Sequence, residues 1–139
     1  MLSTLPPWSK LSYPDTVQYL YSLGNELKPG AKFSLEPMRA FLSGLGNPEK
    51  GQRFIHVAGT NGKGSTCAII ASILRHAGLH TGLYTSPHLI EPTERIQIDS
   101  RAITPTRFAS TFETVHAEAE RLLASERLAA HPSYFETVT

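Results

Sequence analysis

A glycine-rich segment between an apolar run and an amphipathic run constrains this chain more than any other feature. The segment, Val57–Thr66, follows Phe54–Val57 and precedes Cys67–Leu74. That order predicts a strand, a tight turn and a helix. Glycines let successive backbone N–H groups point inward, and the N-terminus of a helix adds a partial positive charge. The segment therefore predicts a loop that binds phosphate.

Several residue types within this loop suit a bound nucleotide. Lys63 would bring a full positive charge to the outer phosphates, and Ser65 or Thr66 would offer a hydroxyl to magnesium. The match to the general P-loop pattern is partial, because Val57 stands where that pattern has glycine and Gly64 where it has a hydroxyl residue. The alternative is a turn that only tightens a strand–helix connection, and the lysine among the glycines argues against it.

The departure from the general pattern is itself typical of a known family. The run from Ala58 to Ser65 resembles the P-loop of the folylpolyglutamate synthase and dihydrofolate synthase family, relatives of the Mur ligases. Other segments resemble further motifs of that family, in the same order and at similar spacing: Phe33–Met38, Thr85–Leu89 followed by Glu94–Ile96, and Tyr134–Glu136. The resemblance extends over nearly the whole chain and does not rest on one motif.

The resemblance implies a fold and a domain organisation. The fold class would be α/β, a three-layer α/β/α P-loop domain with a mainly parallel sheet that is incomplete at the C-terminus. The last nine residues, 131–139, have the pattern of a helix that has just begun. We therefore expect residues 1–139 to be the N-terminal part of a Mur-ligase-type central ATP-binding domain, with the C-terminal domain absent.

The resemblance also implies an activity, the ATP-dependent addition of L-glutamate to dihydropteroate, folates or both through an acyl phosphate. Negative charge builds on the transferring phosphoryl group, and Lys63, backbone N–H groups and magnesium would stabilise it. Two alternatives stay open: another Mur-type amino-acid ligase, or a nucleotide-binding fragment without catalysis. We expect the isolated chain to be inactive, because further family site residues would follow its last residue.

The family's functional positions fall on particular residues of this chain. Lys63 would be catalytic, magnesium would be held by Ser65, Ser86 and Glu136, and the phosphates of ATP would complete an oxygen shell. The substrate-binding residues would be Phe33, Ser34, Leu35, Glu36 and His88. The ATP-binding residues would be Gly59, Thr60, Asn61, Gly62, Lys63, Gly64, Ser65 and Thr66.

Each residue outside the loop also has a plainer interpretation. Ser86 would be a hydroxyl that bonds nearby backbone in a turn, and Glu136 a surface carboxylate near a helix start. His88 would bond the loop backbone, which we favour over a role at phosphate or magnesium. Glu94 and Arg95 would form an exposed pair that contributes little, unless Arg95 fixes its loop.

The remaining histidines predict no metal site, because none has ligand spacing with cysteine or with another histidine. On the predicted strand, His56 is expected to be a core residue with its hydrogen bonds satisfied. The other four are His76, His80, His116 and His131.

Composition narrows the partners and the compartment. The formal net charge of +1 over 139 residues favours neither nucleic acid nor an anionic membrane. The lone cysteine, Cys67, fits a reducing compartment, and we expect it to be buried in packing. The N-terminus lacks the pattern of a signal peptide and no long apolar run occurs, so we expect a cytoplasmic protein, monomeric at full length.

Periodicity and turn residues predict the other elements. Apolar residues at helical spacing predict helices over Tyr13–Leu23, Leu35–Leu45 and Ser65–Ala77, and a long helix that starts with Thr104 as N-cap and Pro105 at its first position. Short apolar runs predict parallel strands at Phe54–Ala58 and Thr81–Thr85. Alternation on both sides of Asp99-Ser100 predicts a hairpin of Arg95–Ile98 with Arg101–Ile103.

Overall fold

The computed structural model describes residues 11–24 and 34–139, which fall into two compact units. We call Met1–Gln52 with Ala109–Thr139 the helical unit, and Arg53–Phe108 the loop–sheet unit. Phe33, predicted to bind the carboxyl substrate, lies outside the described residues. No helix within the two described ranges is long and apolar enough to cross a membrane.

Helices form the described part of the helical unit. They are α1 (Tyr13–Ser22), α2 (Glu36–Gly44), α5 (Tyr134–Val138) and most of α4 (Pro105–Ala124), while α3 (Lys63–His76) belongs to the other unit. The predicted helices are confirmed to within a residue or two at their ends. Thr104 caps α4 as expected, because its Oγ1 accepts the backbone N–H of Arg107 at 3.2 Å.

One face of α4 supplies most of the core of the helical unit. Phe41 of α2 packs with Ala119, Leu122 and Leu128, all buried. Met38, Leu45, Val115 and Leu123 surround this cluster. The face predicted from apolar spacing is therefore confirmed, since residues three or four apart lie on the same side of a helix.

The loop–sheet unit carries α3 (Lys63–His76), a 3₁₀ turn at Pro92–Arg95, and strands β1 (Gly82–Tyr84), β2 (Ile96–Ile98) and β3 (Arg101–Ala102). The strands lie in the order β1-β2-β3 and both pairs are antiparallel. Asp99 and Ser100 have φ of 48° and 67°, as a two-residue turn of type I′ requires. The predicted hairpin is confirmed.

The predicted strand at Phe54–Ala58 is not formed, and this corrects the expectation of a parallel sheet within the described residues. The segment pairs with no strand there, and Phe54 and Ile55 are 73% and 61% exposed. His56 is exposed as well, so its interpretation as a core residue is wrong. A strand needs a neighbour for its backbone groups, and in the described residues β1 has only β2 as a neighbouring strand.

Candidate phosphate-loop site

The start of α3 has the backbone form of an anion-binding turn. Gly62 is its N-cap, in the left-handed conformation with φ 76° and ψ 0°, which a residue with a Cβ adopts only under strain. The Gly62 carbonyl accepts the N–H of Thr66 at 2.9 Å. The N–H groups of the first turn have no partner inside the helix, so they are available to phosphate oxygens.

Lys63 places its charge directly over this loop. Its Nζ donates to the carbonyl of Gly59 at 2.6 Å and to that of Thr60 at 3.1 Å. The Thr66 hydroxyl donates to the Gly62 carbonyl at 2.9 Å. Thr66 thus closes the first turn of α3 through both its N–H and its hydroxyl, and the magnesium role of Ser65 stays a prediction.

A second loop of the same unit follows β1 and lines an open cavity of about 470 Å³. The Glu94 carboxylate shapes this loop by accepting the backbone N–H groups of Leu89, Ile90 and Glu91 at 2.9, 3.0 and 2.8 Å. These bonds, led by that from Leu89, lower the pKa of Glu94. Along the cavity lie Thr85, Pro87, His88, Leu89, Glu94, Gln97, Ser100 and Ala102.

His88 is hydrogen-bonded to a neighbouring side chain, and its predicted bond to the loop backbone stays a prediction. Arg95 Nε donates to His88 Nδ1 at 2.8 Å, which leaves the ring proton on Nε2. Burial and the charge of Arg95 lower the pKa of His88, with Glu94 opposing them. Arg95 is only 7% exposed, so the interpretation of Glu94 and Arg95 as an exposed pair is wrong. The bond to His88 agrees with the alternative, in which Arg95 fixes its loop.

The two magnesium ligands predicted outside the phosphate loop lie in different units. Ser86 is exposed in the turn after β1, where the Ser86–Pro87 peptide is cis. Glu136 forms a capping box at α5, because its Oε2 accepts both the N–H and the hydroxyl of Ser133 at 2.8 Å. This is the helix-start role that the plainer interpretation gave to Glu136, and the magnesium role of both residues stays a prediction.

Three of the residues predicted to bind the carboxyl substrate, Ser34, Leu35 and Glu36, lie at the start of α2. Ser34 Oγ accepts the N–H of Glu36 at 3.2 Å, and Glu36 pairs with Arg39 at 3.4 Å. Leu35 is 68% exposed. These side chains are accessible to solvent, and their part in binding stays a prediction, as does that of His88.

Sequence reasoning missed one group of potential ligands. The helical unit brings His116, Glu120 and His131 together, with one ligand atom from each within 4.8 Å of the others. The sequence signal for two of these ligands is a histidine and a glutamate four residues apart, which places them on one face of a helix. Spacing between cysteines and histidines does not include this pattern. The approach of His131, from the segment between α4 and α5, to this helix face has no signature in the sequence.

Cys67, expected to be buried, is half-buried.

Comparisons with known proteins agree on one family. The chain is 41% identical over 131 residues to a probable bifunctional folylpolyglutamate synthase/dihydropteroate synthase of Haloferax volcanii, covering 93% of this chain and 15% of that protein. It is 37% identical over 128 residues to the dihydrofolate synthase/folylpolyglutamate synthase of Bacillus subtilis, covering 92% and 29%. No protein-family model matches the chain.

Solved structures give the same result. A folylpolyglutamate synthetase from Lactobacillus casei matches with a TM-score of 0.81 and 35% identity, over 92% of this chain and 31% of that one. A complex of such an enzyme with AMPPCP and folate matches with a TM-score of 0.81 and 36% identity, over 92% and 30%. The chain thus spans less than a third of the length of these relatives.

Proposed function

We propose that this chain, which belongs to the folylpolyglutamate synthase family, supplies the phosphate-binding part of an ATP-dependent ligase that adds L-glutamate to a folate or to dihydropteroate. The observation that carries the proposal is the turn at Gly62 and Lys63, where a left-handed glycine opens a helix and a lysine ammonium lies over the loop. A structure of similar fold holds AMPPCP and folate. An ATP analogue and a folate, the two substrate classes that the proposal requires, are thus bound together by a protein of similar fold.

The reaction would proceed in two steps. A carboxylate oxygen of the folate attacks the terminal phosphorus of ATP, the bond to the bridging oxygen breaks, and ADP leaves with that electron pair. The amino group of glutamate then attacks the acyl phosphate and displaces inorganic phosphate, losing a proton as the amide forms. In the first step Lys63 and the N–H groups of the first turn of α3 would stabilise charge on the transferring oxygens.

Magnesium would be bound through oxygen atoms, which is the donor set this ion prefers. Ser65, Ser86 and Glu136 offer two hydroxyls and a carboxylate. Glu136 uses Oε2 in its capping box, and its Oε1 would be the oxygen that holds the ion. Bound magnesium would neutralise charge between the outer phosphates of ATP.

In the whole protein we propose a three-layer α/β/α domain in which Phe54–Ala58 joins a parallel sheet. Two observations support this arrangement: the high exposure of Phe54 and Ile55 in the described chain, and the TM-score of 0.81 to a synthetase of which this chain covers 31%. A strand buried on both faces would bring these side chains out of water.

The test is the Lys63→Ala variant of the full-length protein, assayed for ADP formation that depends on both glutamate and folate. Loss of one charge-assisted contact to the developing oxyanion should reduce kcat by at least about 10²–10³-fold. The matched control is Lys50→Ala, which removes an exposed lysine of the helical unit and should leave kcat unchanged. Turnover of Lys63→Ala within a factor of about three of wild type would refute the assignment.

The same assay decides among the alternatives. Wild-type protein that forms ADP with glutamate but not with other amino acids supports the folate branch over another Mur-type ligase. Equilibrium ATP binding by the 139-residue chain without ADP formation would show that the loop binds nucleotide by itself and that positioning of the other reactants needs more of the protein. Absence of ATP binding in both proteins would overturn the proposal.

A further inference from the structure

A histidine–glutamate–histidine cluster lies in the helical unit, formed by α4 and the segment between α4 and α5. The Nε2 of His116 lies 3.3 Å from Glu120 Oε1, and the Nε2 of His131 lies 3.4 Å from the same oxygen. His116 and Glu120 are four residues apart and therefore lie on one face of α4. His131 approaches that face from the loop, with its ring parallel to the ring of His116 and the centroids 5.9 Å apart.

The separations suit a tetrahedral divalent ion. Zinc bonds of about 2.0–2.2 Å to imidazole nitrogen and carboxylate oxygen place neighbouring ligand atoms about 3.3–3.5 Å apart. The two distances to Glu120 Oε1, 3.3 and 3.4 Å, fall at this value. The third separation, between the two histidine nitrogens, is within 4.8 Å, and a small rotation of the partly exposed His131 would shorten it.

The surroundings of His116 hold its ring in one place. His116 is 3% exposed and packs against the rings of Tyr19 and Phe112, with centroids 4.8 and 5.5 Å away. A ligand whose ring is already fixed by packing loses little conformational freedom when it binds an ion.

The packing also reduces the cost of forming the site. The ring of His116 is fixed between two aromatic side chains, and Glu120 lies one helical turn further along. The side chains of Glu120 and His131 are 44% and 37% exposed, and these two would be immobilised when an ion binds. Two imidazole nitrogens with one carboxylate oxygen match borderline ions such as zinc better than magnesium, which prefers oxygen alone.

We propose that His116, Glu120 and His131 form a zinc-type metal site, separate from the magnesium site of the ligase reaction, with water as the fourth ligand. Bound metal would link the end of α4 to the loop that leads into α5. This proposal is independent of the proposed ligase activity, because none of the three ligands is among the residues proposed for ATP, magnesium or the carboxyl substrate.

The experiment is a titration of the untagged, metal-free protein with Zn²⁺ and with Co²⁺. We expect one equivalent to bind, a visible Co²⁺ absorption band typical of tetrahedral coordination, and an increase in Tm with Zn²⁺ but not with Mg²⁺. The decisive variant is His131→Ala, because that side chain is 37% exposed and its removal leaves the core intact. Loss of a partner that merely supports a ligand costs about 10–100-fold in affinity, so loss of this ligand should cost at least about 100-fold.

The matched control is His80→Ala, which removes an exposed histidine of the other unit and should leave the affinity for zinc unchanged. Glu120→Gln is a second test that keeps the size of the side chain and should also weaken binding. Failure of the wild-type protein to bind one equivalent would overturn the proposal. So would binding by His131→Ala and Glu120→Gln that equals binding by the control.

Discussion

The helical unit and the loop–sheet unit bury their apolar side chains to very different extents. Leu20 and Leu122 of the helical unit are 1% and 0% exposed, whereas Ile69 and Ile73 on α3 of the loop–sheet unit are 61% and 62% exposed. The helical unit thus closes a core from its own helices. Since burial of apolar surface is the main source of folding free energy, the stability of the described chain resides mainly there.

Polar contacts hold the shape of the loop–sheet unit instead. The Glu94 carboxylate accepts three backbone N–H groups. Arg95 donates to His88, and Asp99 accepts the N–H of Thr81 at 2.8 Å. Such bonds fix local geometry and each adds a modest net free energy. The comparison teaches that the unit with the phosphate loop is shaped by hydrogen bonds and the helical unit by packing.

The largest expected effect comes from truncating a core residue in one unit and an exposed apolar residue in the other. Leu122→Ala should lower the free energy of unfolding by about 2–5 kcal/mol, because it leaves a cavity in a closed core. Ile73→Ala, on an exposed face of α3, should change it by less than about 0.5 kcal/mol. Urea unfolding followed by circular dichroism measures both values, and equal losses would contradict the contrast between the units.

The sequence predicts local structure in both units but long-range pairing in neither. The helix of the helical unit that carries Leu122 follows from apolar spacing alone, and the turn at Asp99 and Ser100 from alternation on either side. The strand predicted at Phe54–Ala58 does not form in the described residues. The prediction failed because the hydrogen bonds of a strand depend on partners that a local pattern cannot specify.

The candidate site shows the same division. Lys63 and Gly62 were predicted from their positions between a strand pattern and a helix pattern, and α3 does begin there. The bond from Arg95 to His88 and the approach of His131 to Glu120 depend on how loops return. Loop returns are set by tertiary contacts and have no period in the sequence, so these contacts required the structure.

The next effect tests whether backbone conformation matters at the start of α3. Gly62→Ala should cost about 1–2 kcal/mol, because φ is 76° there and the added Cβ disfavours the left-handed region. Gly64→Ala should instead stabilise by up to about 1 kcal/mol, since it is helical and a Cβ would meet no atom within 4 Å. Thermal unfolding monitored in the loop–sheet unit measures both, and effects of the same sign would contradict this account.

A smaller and local effect is expected at Glu94. Three N–H bonds lower its pKa, so the bonds should be complete above the ordinary carboxyl pKa and lost as pH falls through the lowered value. Amide hydrogen exchange should show protection at Leu89, Ile90 and Glu91 that decreases at acid pH. Glu94→Gln should reduce that protection at every pH, whereas Glu36→Gln in the helical unit should not. Protection unchanged in Glu94→Gln would show that other contacts hold the loop.

The smallest effect concerns an exposed pair beside the hairpin turn. His80 Nδ1 lies 2.9 Å from Asp99 Oδ2, and the His80 side chain is 98% exposed. The bond to Asp99 raises the pKa of His80, and the bond to His80, followed by that from Thr81, lowers the pKa of Asp99. Because its pKa is raised by folding, His80 stabilises the protein fully below the usual histidine pKa of about 6.5. It loses that contribution as the pH rises through its pKa in the folded protein.

The lowered group behaves in the opposite way, since Asp99 stabilises above the usual carboxyl pKa of about 3.9 and loses its contribution as pH falls through its folded value. Asp99 and His80 should therefore form an ion pair only between the pKa of Asp99 and the pKa of His80 in the folded protein. Removing the imidazole with His80→Ala should reduce Tm slightly near pH 5–6, and the difference from wild type should vanish at pH 9 and decrease with added salt. A difference that persists at pH 9 would mean that His80 acts through packing, which its exposure argues against. Asp99→Ala should be the more damaging variant at both pH values, because the Thr81 N–H would then lose its acceptor at a residue only 9% exposed.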